Sequence, residues 1–240
     1  MEVANTINQS NFRFFKTNFS NIDDFIEDNS LCGVLIDCGV SSPQLDEPER
    51  GFSFQTKGPL DMRFNQDQTL TCKDIIENYS EKEIAEILWK FGEEKESRKI
   101  AKFIIKHRKK NTIENTLDLA EIIRAAKSIK TKKHPATKSF QALRMAVNKE
   151  IENLSSCLEK IKDKLIKSGK LVIITFHSLE DRIAKQTFKP KINFHEKNIP
   201  LKYKDVPDEF KISKIIYPSP EEISVNPRAR SAKMRIIEKL

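Results

Sequence analysis

Polar side chains follow apolar runs directly at two places in the sequence. Asp37 ends the apolar run of residues 32–36 and leads into the turn GVSSPQ (39–44), and His177 follows a second apolar run within ITFHSLEDR (174–182). An acid at a strand end can accept hydrogen bonds from an amine or a ribose hydroxyl, and a Ser-Ser-Pro turn offers hydroxyls and carbonyls that a planar amine can approach. Because polar strand ends line the ligand crevice of an open α/β sheet, we predict that both stretches reach one rim of a sheet.

The second stretch also has a purely structural interpretation. His177 can be a hydrogen-bonded histidine at a strand end, without a role in chemistry. Glu180 and Asp181 can cap the first turn of a following helix, where acidic side chains are stabilised. The residue types leave the role of His177 open, and for the two acids they favour capping.

Several chemistries lack their motifs. The sequence has no G-x-x-x-x-G-K-[ST] phosphate loop, no G-x-S-x-G turn and no G-x-G step among its six glycines. Its four histidines lie far apart, so no metal site is predicted. The four cysteines form no C-x-x-C pair, and we interpret them as reduced thiols of a cytoplasmic protein.

The apolar segments that position these residues are predicted to be strands. FRFF (12–15) and CGVLID (32–37) are expected to be buried strands, KLVIITFHS (170–178) is the strongest strand pattern, and KMRIIEKL (233–240) is the last. EDRIAKQTF (180–188) has a helical pattern. Strands that alternate with helices and end in polar residues predict an open α/β sheet.

Helical periodicity interrupts this alternation. Residues 41–68 form a long irregular stretch rich in Pro and Gly, whose apolar side chains predict a packed loop. Apolar residues then recur at helical spacing, including Ile84 with Leu88 and Leu117 with Ala120. We therefore predict a discontinuous α/β domain (1–47 and 138–240) that carries an inserted helical domain (48–137).

After the insertion, a further apolar stripe predicts one long helix. The stripe runs from Phe140 to Leu165 at helical spacing. Ser168 and Gly169 follow it and would form a natural C-terminal cap. The strand pattern that starts at Lys170 would then begin directly after this cap.

The charge distribution favours a polyanionic partner. The net charge is +8, and between Arg98 and Lys149 the only acids are Glu114, Asp118 and Glu121. A solvated helical surface usually mixes the signs, so we favour a nucleic-acid surface over a plain charged face, although both remain open. No apolar run approaches the length of a transmembrane helix, and the N terminus does not read as a signal peptide, so no membrane partner is predicted.

Six segments resemble the ribosomal RNA small subunit methyltransferase H family, in the family's order and over nearly the whole chain. They are LIDCGVSSPQLDEPERGFSF, GPLDMRF, GEEKESRKIAKFI, KHPATKSFQALRMAVNKEIENL, ITFHSLEDRIAK and NPRARSAKMRI. The resemblance implies a class I, Rossmann-like methyltransferase with an inserted helical domain. It also implies methyl transfer from S-adenosylmethionine to the N4 amine of a cytosine in 16S ribosomal RNA, near the decoding site.

The resemblance assigns roles to some of these residues. Phe19 in TNFSN, the strand-end Asp37 and Gln44 of SSPQ would contact S-adenosylmethionine, although core packing is the alternative for Phe19. Ser42 and the turn carbonyls are candidate acceptors for the reacting amine, and His177 is a candidate for catalysis or RNA binding. Further RNA contacts are expected from the basic insertion and from NPRARSAKMR, where a solvated turn is the alternative: Lys109, Lys110, Lys132, Lys133, Arg228 and Arg230.

One departure from the family pattern changes the expectation. The family opens with a glycine-rich strand-turn-helix and an acidic residue that holds the ribose, and this sequence contains neither. We therefore expect the sequence to be N-terminally incomplete, with an exposed sheet margin and weak binding of S-adenosylmethionine. Three hypotheses remain: a methyltransferase of this family whose active form has a complete N terminus, a fragment or decayed copy that binds RNA without catalysis, and an RNA-binding or ribosome-assembly module that uses the basic insertion alone.

Overall fold

The structure is a computed structural model that describes residues 11–128, 134–190 and 208–240. It divides into two units, residues 1–37 with 152–240 and residues 38–151. In chain order the elements are β1 (Leu31–Asp37), α1 (Ser42–Asp46), α2 (Cys72–Asn78), α3 (Glu81–Gly92), α4 (Ser97–Arg108), α5 (Thr116–Ala126), α6 (Thr137–Asn148), α7 (Glu150–Lys164), β2 (Leu165–Thr175), α8 (Ser178–Thr187), β3 (Phe210–Ile212), α9 (Pro220–Val225) and β4 (Lys233–Lys239).

The discontinuous unit is built on a four-stranded mixed sheet. Its strand order is β1-β2-β4-β3. β1 and β2 are parallel with Asp37 opposite Ile174, so their carboxyl ends lie at the same end of the sheet. β4 runs antiparallel to β2 and begins at that end, with Lys233 opposite Thr175. The predicted α/β architecture with an inserted helical segment is confirmed.

β1 is a strand, as predicted, but it is not buried. It pairs with β2 alone among the described strands, and it is therefore an edge strand of the sheet. Leu35 is 69% exposed and Cys32 is also exposed. An edge strand that exposes backbone hydrogen-bonding groups and apolar side chains is an unusual protein surface.

The prediction of a buried strand at FRFF is wrong. Residues 12–15 form no strand, and Phe12, Phe14 and Phe15 are exposed. The ring of Phe15 instead packs against that of Phe25 in a tilted arrangement, with ring centroids 4.4 Å apart. An apolar run becomes a strand only where a partner strand accepts its hydrogen bonds, and periodicity alone carries no information about that partner.

The long helix predicted from Phe140 to Leu165 is two helices. Lys149 has a φ of 50° and separates α6 from α7. Asn148 stabilises this break, because its side chain donates to the carbonyls of Met62 and Arg144 at 2.7 and 2.9 Å. α7 then ends at Lys164 rather than at Ser168-Gly169, which form an irregularity inside β2.

Residues 38–151 form a helical unit with its own core. The described apolar stripes are buried as predicted, for example Ile84, Leu88 and Ile123. Leu117 is an exception, since it is exposed and the buried face of α5 carries Leu119 and Ile122 instead. The structure groups α6 with this unit because α6 packs against α3. The sequence had instead suggested a boundary at residue 137.

Gly92 sets the distance between these two helices. A Cβ atom at this position would lie 2.6 Å from the carbonyl oxygen of Lys138 and 3.1 Å from the Cβ of Ala142. The missing side chain therefore lets the end of α3 approach α6 at backbone contact distance. This close approach explains why α6 belongs to the core of the helical unit.

The irregular stretch before α2 is a packed loop, as predicted. Phe52, Leu60 and Met62 are buried. Two chain segments cross at glycines: a Cβ on Gly51, whose φ is 70°, would lie 2.1 Å from the carbonyl oxygen of Pro59, and a Cβ on Gly58 would lie 2.0 Å from that of Pro48. The close backbone crossing admits no side chain at either glycine.

Other features of the described residues bear on function. The predicted final strand is present as β4, and α8 is present where EDRIAKQTF was predicted to be helical, whereas β3 and α9 were not predicted. All four cysteines are free, and burial raises the pKa of the Cys157 thiol to about 11. Among these residues the structure contains no helix long and apolar enough to cross a membrane and no metal-binding cluster of His, Cys, Asp and Glu side chains.

Candidate functional site

Asp37 and His177 lie at one end of the sheet. Parallel pairing puts the end of β1 beside the end of β2, and His177 follows β2 by two residues. The first residue of β4, Lys233, joins them, because the hydroxyl of Thr175 donates to its carbonyl at 3.3 Å. We call this set of residues, Asp37, 175–178 and Lys233, the strand-end rim.

Asp37 is the only carboxylate of the strand-end rim. Its side chain is exposed, and its carboxylate accepts no hydrogen bond from the residues that the structure describes. Partial desolvation raises its pKa, and no basic side chain offsets that effect. An exposed carboxylate without a donor among these residues is available to accept hydrogen bonds from a ligand.

His177 is the N-cap of α8. Its Nδ1 accepts a hydrogen bond from the backbone N–H of Leu179 at 3.3 Å, and Glu180 completes a capping box by accepting from the N–H groups of Phe176 and His177 at 2.9 and 3.1 Å. Because Nδ1 is an acceptor, the neutral imidazole carries its proton on Nε2. In this state Nδ1 is held by the backbone of α8 and is not poised to act as a base.

Asp181 has a structural partner. The guanidinium of Arg235 donates to it twice, from Nε at 2.5 Å and from an Nη atom at 3.1 Å, and both side chains are mostly buried. Arg235 also donates to the carbonyl of Ser213 at 3.1 Å. The bidentate pair fixes α8 against β4 and thereby holds the start of α8 at the rim.

Phe19 presents its ring to solvent. It begins a short 3₁₀ helix (Phe19–Asp24), whose N-cap Asn18 accepts from the N–H of Ser20 at 2.9 Å. The side chain is 48% exposed, so the core-packing alternative does not describe it. An exposed aromatic ring in a fixed backbone segment can stack on a flat ligand.

Ser42 and Gln44 belong to the helical unit, where they lie in α1. Ser41 is the N-cap, and the Oε1 of Gln44 accepts from its N–H at 3.0 Å. Ser42 is exposed at the first position of the helix. The amide NH₂ of Gln44 makes no hydrogen bond to the part of the chain that the structure describes, so it is free to donate to a ligand.

The predicted RNA-binding residues are divided between the two units. Lys109 and Lys110 are exposed just after α4, in the helical unit, and Arg228 and Arg230 are exposed in a 3₁₀ helix (Pro227–Ser231) of the other unit. Lys132 and Lys133 lie outside the described residues. Each unit thus carries exposed basic side chains of the predicted set.

Sequence reasoning missed a second acidic centre, in GPLDMRF. Arg63 binds Asp61 through two hydrogen bonds of 2.9 and 2.7 Å and also donates to the carbonyls of Gln66 and Gln68. Burial raises the pKa of Asp61, but the hydrogen bonds and charge of Arg63 outweigh this effect and hold the pKa below its usual value. The signal that the sequence offered for this pair was an acid and an arginine two residues apart, within a loop predicted to be packed.

This pair predicts a pH dependence. Because the folded pKa of Asp61 is lower than the unfolded one, its contribution to stability is present at neutral pH and is lost as the pH falls below about 4. We expect Asp61→Asn to lower the unfolding free energy at pH 7 and to flatten its decline in acid, measured by urea denaturation followed by circular dichroism. Asp67→Asn, in the same loop but exposed, is the control; equal effects of both variants would contradict the assignment.

The fold and the strand-end rim define an α/β protein whose polar side chains gather where two parallel strands end. The chain belongs to the MraW methylase family, whose sequence model matches residues 2–240, and it is therefore a methyltransferase with a Rossmann-like sheet. Similar curated proteins, all named ribosomal RNA small subunit methyltransferase H, come from Fusobacterium nucleatum (43% identity, 96% of this chain, 76% of the relative), Legionella pneumophila strain Paris (44%, 95%, 77%) and Clostridium botulinum strain 657 (45%, 96%, 77%).

Proposed function

We propose that the protein methylates ribosomal RNA of the small subunit in the cytoplasm, transferring a methyl group from S-adenosylmethionine to the N4 amine of a cytosine in 16S RNA near the decoding site. Family membership carries the methyltransferase part, and the names of the relatives support ribosomal RNA as the substrate. The cofactor, the N4 position and the place in the RNA rest on the resemblance described for the sequence.

The cofactor assignment is supported by the chemistry of three side chains. The exposed carboxylate of Asp37 can accept hydrogen bonds from amine or hydroxyl donors of the cofactor. The exposed ring of Phe19 can stack on an adenine face, and the NH₂ of Gln44 can donate to a polar group. When bound, S-adenosylmethionine supplies an electrophilic methyl group on a sulfonium centre.

The protein's own contribution to the chemistry is to orient the amine. The N4 amine of cytosine is a poor nucleophile, because its lone pair is delocalised into the ring. Acceptors that bind its hydrogens orient the amine and draw electron density onto nitrogen, and the proton that the methylated amine loses passes to solvent. We assign this role to the exposed hydroxyl of Ser42 and the carbonyls of its turn.

We assign His177 a role in holding the RNA. It lies at the strand-end rim, where an imidazole ring can contact a phosphate or a base, and its Nδ1 is bound to the backbone of α8. The cytosine must leave any base stack to reach a pocket, as other enzymes that modify bases require. The exposed Lys109, Lys110, Arg228 and Arg230 are proposed to contact phosphates.

The experiment that tests this function is methyl transfer to small ribosomal subunits that lack the modification. The purified protein is incubated with them and with isotopically labelled S-adenosylmethionine, and the digested RNA is analysed by mass spectrometry. We expect label on N4-methylcytidine. Label on carbon 5 of cytidine or on another base would contradict the assigned chemistry, and RNA binding without any transfer would favour the non-catalytic hypothesis.

A further inference from the structure

α4 carries an exposed row of cations on the helical unit. Arg98, Lys102 and Lys106 recur every four residues and therefore share one face of the helix, away from the buried face formed by Ile100 and Ile104. Two exposed lysines extend the row past the end of the helix. We call the row the basic stripe: Arg98, Lys102, Lys106, Lys109 and Lys110.

The basic stripe has no acidic partner among the residues that the structure describes. Within the described part of the chain, none of its five side chains forms an ion pair or a hydrogen bond. Like charges four residues apart on a helix repel each other and destabilise it, so this arrangement works against the folding of α4. A surface that keeps such charges unpaired is suited to a polyanionic ligand that neutralises them.

An exposed tryptophan lies beside the start of the stripe. Trp89 is the only tryptophan of the chain and is 62% exposed on α3. It lines a groove of about 930 Å³, together with Arg98 and other residues of α3, of the start of α4 and of the segment between the two helices. A large aromatic side chain that is left this exposed is available to stack on a ligand.

The other charges of the groove leave it basic. Glu86 is paired with Lys82 at 4.0 Å, and Glu96 is paired with Lys99 at 3.9 Å. Glu81 lies in the first turn of α3, where the helix dipole stabilises an acid. Lys95 has no partner among the described residues, so it and Arg98 supply unpaired positive charge on the groove wall that includes Trp89.

We propose that Trp89 and the basic stripe form the docking surface for a single-stranded segment of RNA, with one base stacked on the indole ring and the phosphates following α4. Successive cations of the stripe rise about 6 Å along the helix, a step suited to successive phosphates of one strand. Stacking on an aromatic ring tolerates any base, and the lysines read only the backbone. The proposal rests on the proposed function, since that function makes RNA the partner.

The single tryptophan makes the stacking directly measurable. Its fluorescence is followed while a single-stranded RNA oligonucleotide of mixed sequence is added to the full chain, and binding is measured separately by anisotropy of labelled RNA. We expect quenching that saturates with binding. Trp89→Ala should weaken RNA binding about 5- to 100-fold, and Trp89→Phe, which keeps a stacking ring, should recover most of the affinity.

A charge series tests the stripe. The triple variant Arg98→Gln, Lys102→Gln, Lys106→Gln should reduce the slope of log affinity against log salt concentration by about 2, because each phosphate contact on a single strand contributes about 0.7. The matched control removes three exposed lysines of the other unit, by Lys167→Gln, Lys185→Gln and Lys211→Gln. Equal losses in both triple variants would show a general charge effect and would overturn the proposal.

The other outcomes are equally decisive. RNA binding without quenching, and with unchanged affinity in Trp89→Ala, would overturn the proposal; if that variant instead changed the oligomeric state, the surface would be a protein contact. Because RNA binding is measured without methyl transfer, the two proposals can fail separately. Quenching without transfer would count against the proposed function alone, and transfer with unaltered RNA affinity in Trp89→Ala would count against this surface alone.

Discussion

Asp37→Asn is expected to abolish methyl transfer and to weaken binding of S-adenosylmethionine at least tenfold, without lowering the stability of the fold. The substitution preserves the shape of the side chain but replaces one acceptor oxygen by a donor and removes the charge. A ligand donor that met the carboxylate then meets an NH₂ group, and a buried donor without an acceptor costs about 1–3 kcal/mol. Calorimetry with the cofactor and the methyl-transfer assay measure the two losses.

The stability of the same variant distinguishes a binding role from a structural one. Desolvation makes the folded pKa of Asp37 higher than its ordinary value, so ionisation at neutral pH works against folding, and this cost disappears as the pH falls through the folded pKa. Removing the charge should therefore leave the melting temperature unchanged or slightly raised. If the carboxylate instead stabilised the fold through an ion pair, the same substitution would lower the melting temperature.

Asp208→Asn is the control for Asp37→Asn. Asp208 is an exposed acid of the same unit, and it lies just before β3, which begins at the opposite end of the sheet from the strand-end rim. We expect this variant to retain cofactor binding, methyl transfer and RNA binding. Full activity in Asp37→Asn, or equal losses in both variants, would show that the assignment of Asp37 is wrong.

Glu94→Ala is expected to destabilise the helical unit by about 3–5 kcal/mol, the usual cost of leaving one charge of a buried pair alone. Glu94 is 3% exposed and accepts a hydrogen bond from Lys127 Nζ at 2.7 Å. The same nitrogen donates to the carbonyl of Pro135 at 3.3 Å. The pair therefore links three segments, namely the residues after α3, the residue after α5 and the linker before α6. Urea denaturation of the full chain measures the stability that the substitution removes.

A double variant separates the pair from the packing around it. Replacing both charges by apolar side chains, in Glu94→Leu with Lys127→Met, removes the stranded charge and should recover much of the lost stability. Lys82→Ala, which breaks an exposed pair with Glu86, is the control and should change stability by less than about 1 kcal/mol. A double variant that is as unstable as Glu94→Ala would mean that shape, rather than charge, sets the cost.

The rim could be predicted from the sequence because two apolar runs end on chemically distinctive residues. Asp37 and His177 follow strands, and parallel pairing is the usual arrangement when a long helical connection separates two strands. The capping role of Glu180 also followed from its position three residues after His177. These inferences needed only short-range spacing.

Other features depended on contacts between distant parts of the chain. Nothing local to Lys149 marks the end of α6, because the break is stabilised by Asn148 bonding to Met62. The exposure of Leu35 depends on which strands flank β1. The surface around Trp89 could be predicted only in part. The spacing of Ile84, Leu88 and Phe91 already directs Trp89 away from the core. The cations beside it come from α4, and their proximity depends on how the two helices pack.

The helical unit separates β1 from β2 in the chain, although the two strands are neighbours in the sheet. During translation β1 leaves the ribosome first. Every helix from α1 to α7 is then synthesised before β2, the hydrogen-bonding partner of β1, emerges. We expect the helical unit to fold co-translationally while the nascent β1 strand stays unpaired, because its contacts are long-range and slow to form. The apolar residues of β1 would then be a natural site for a chaperone to hold.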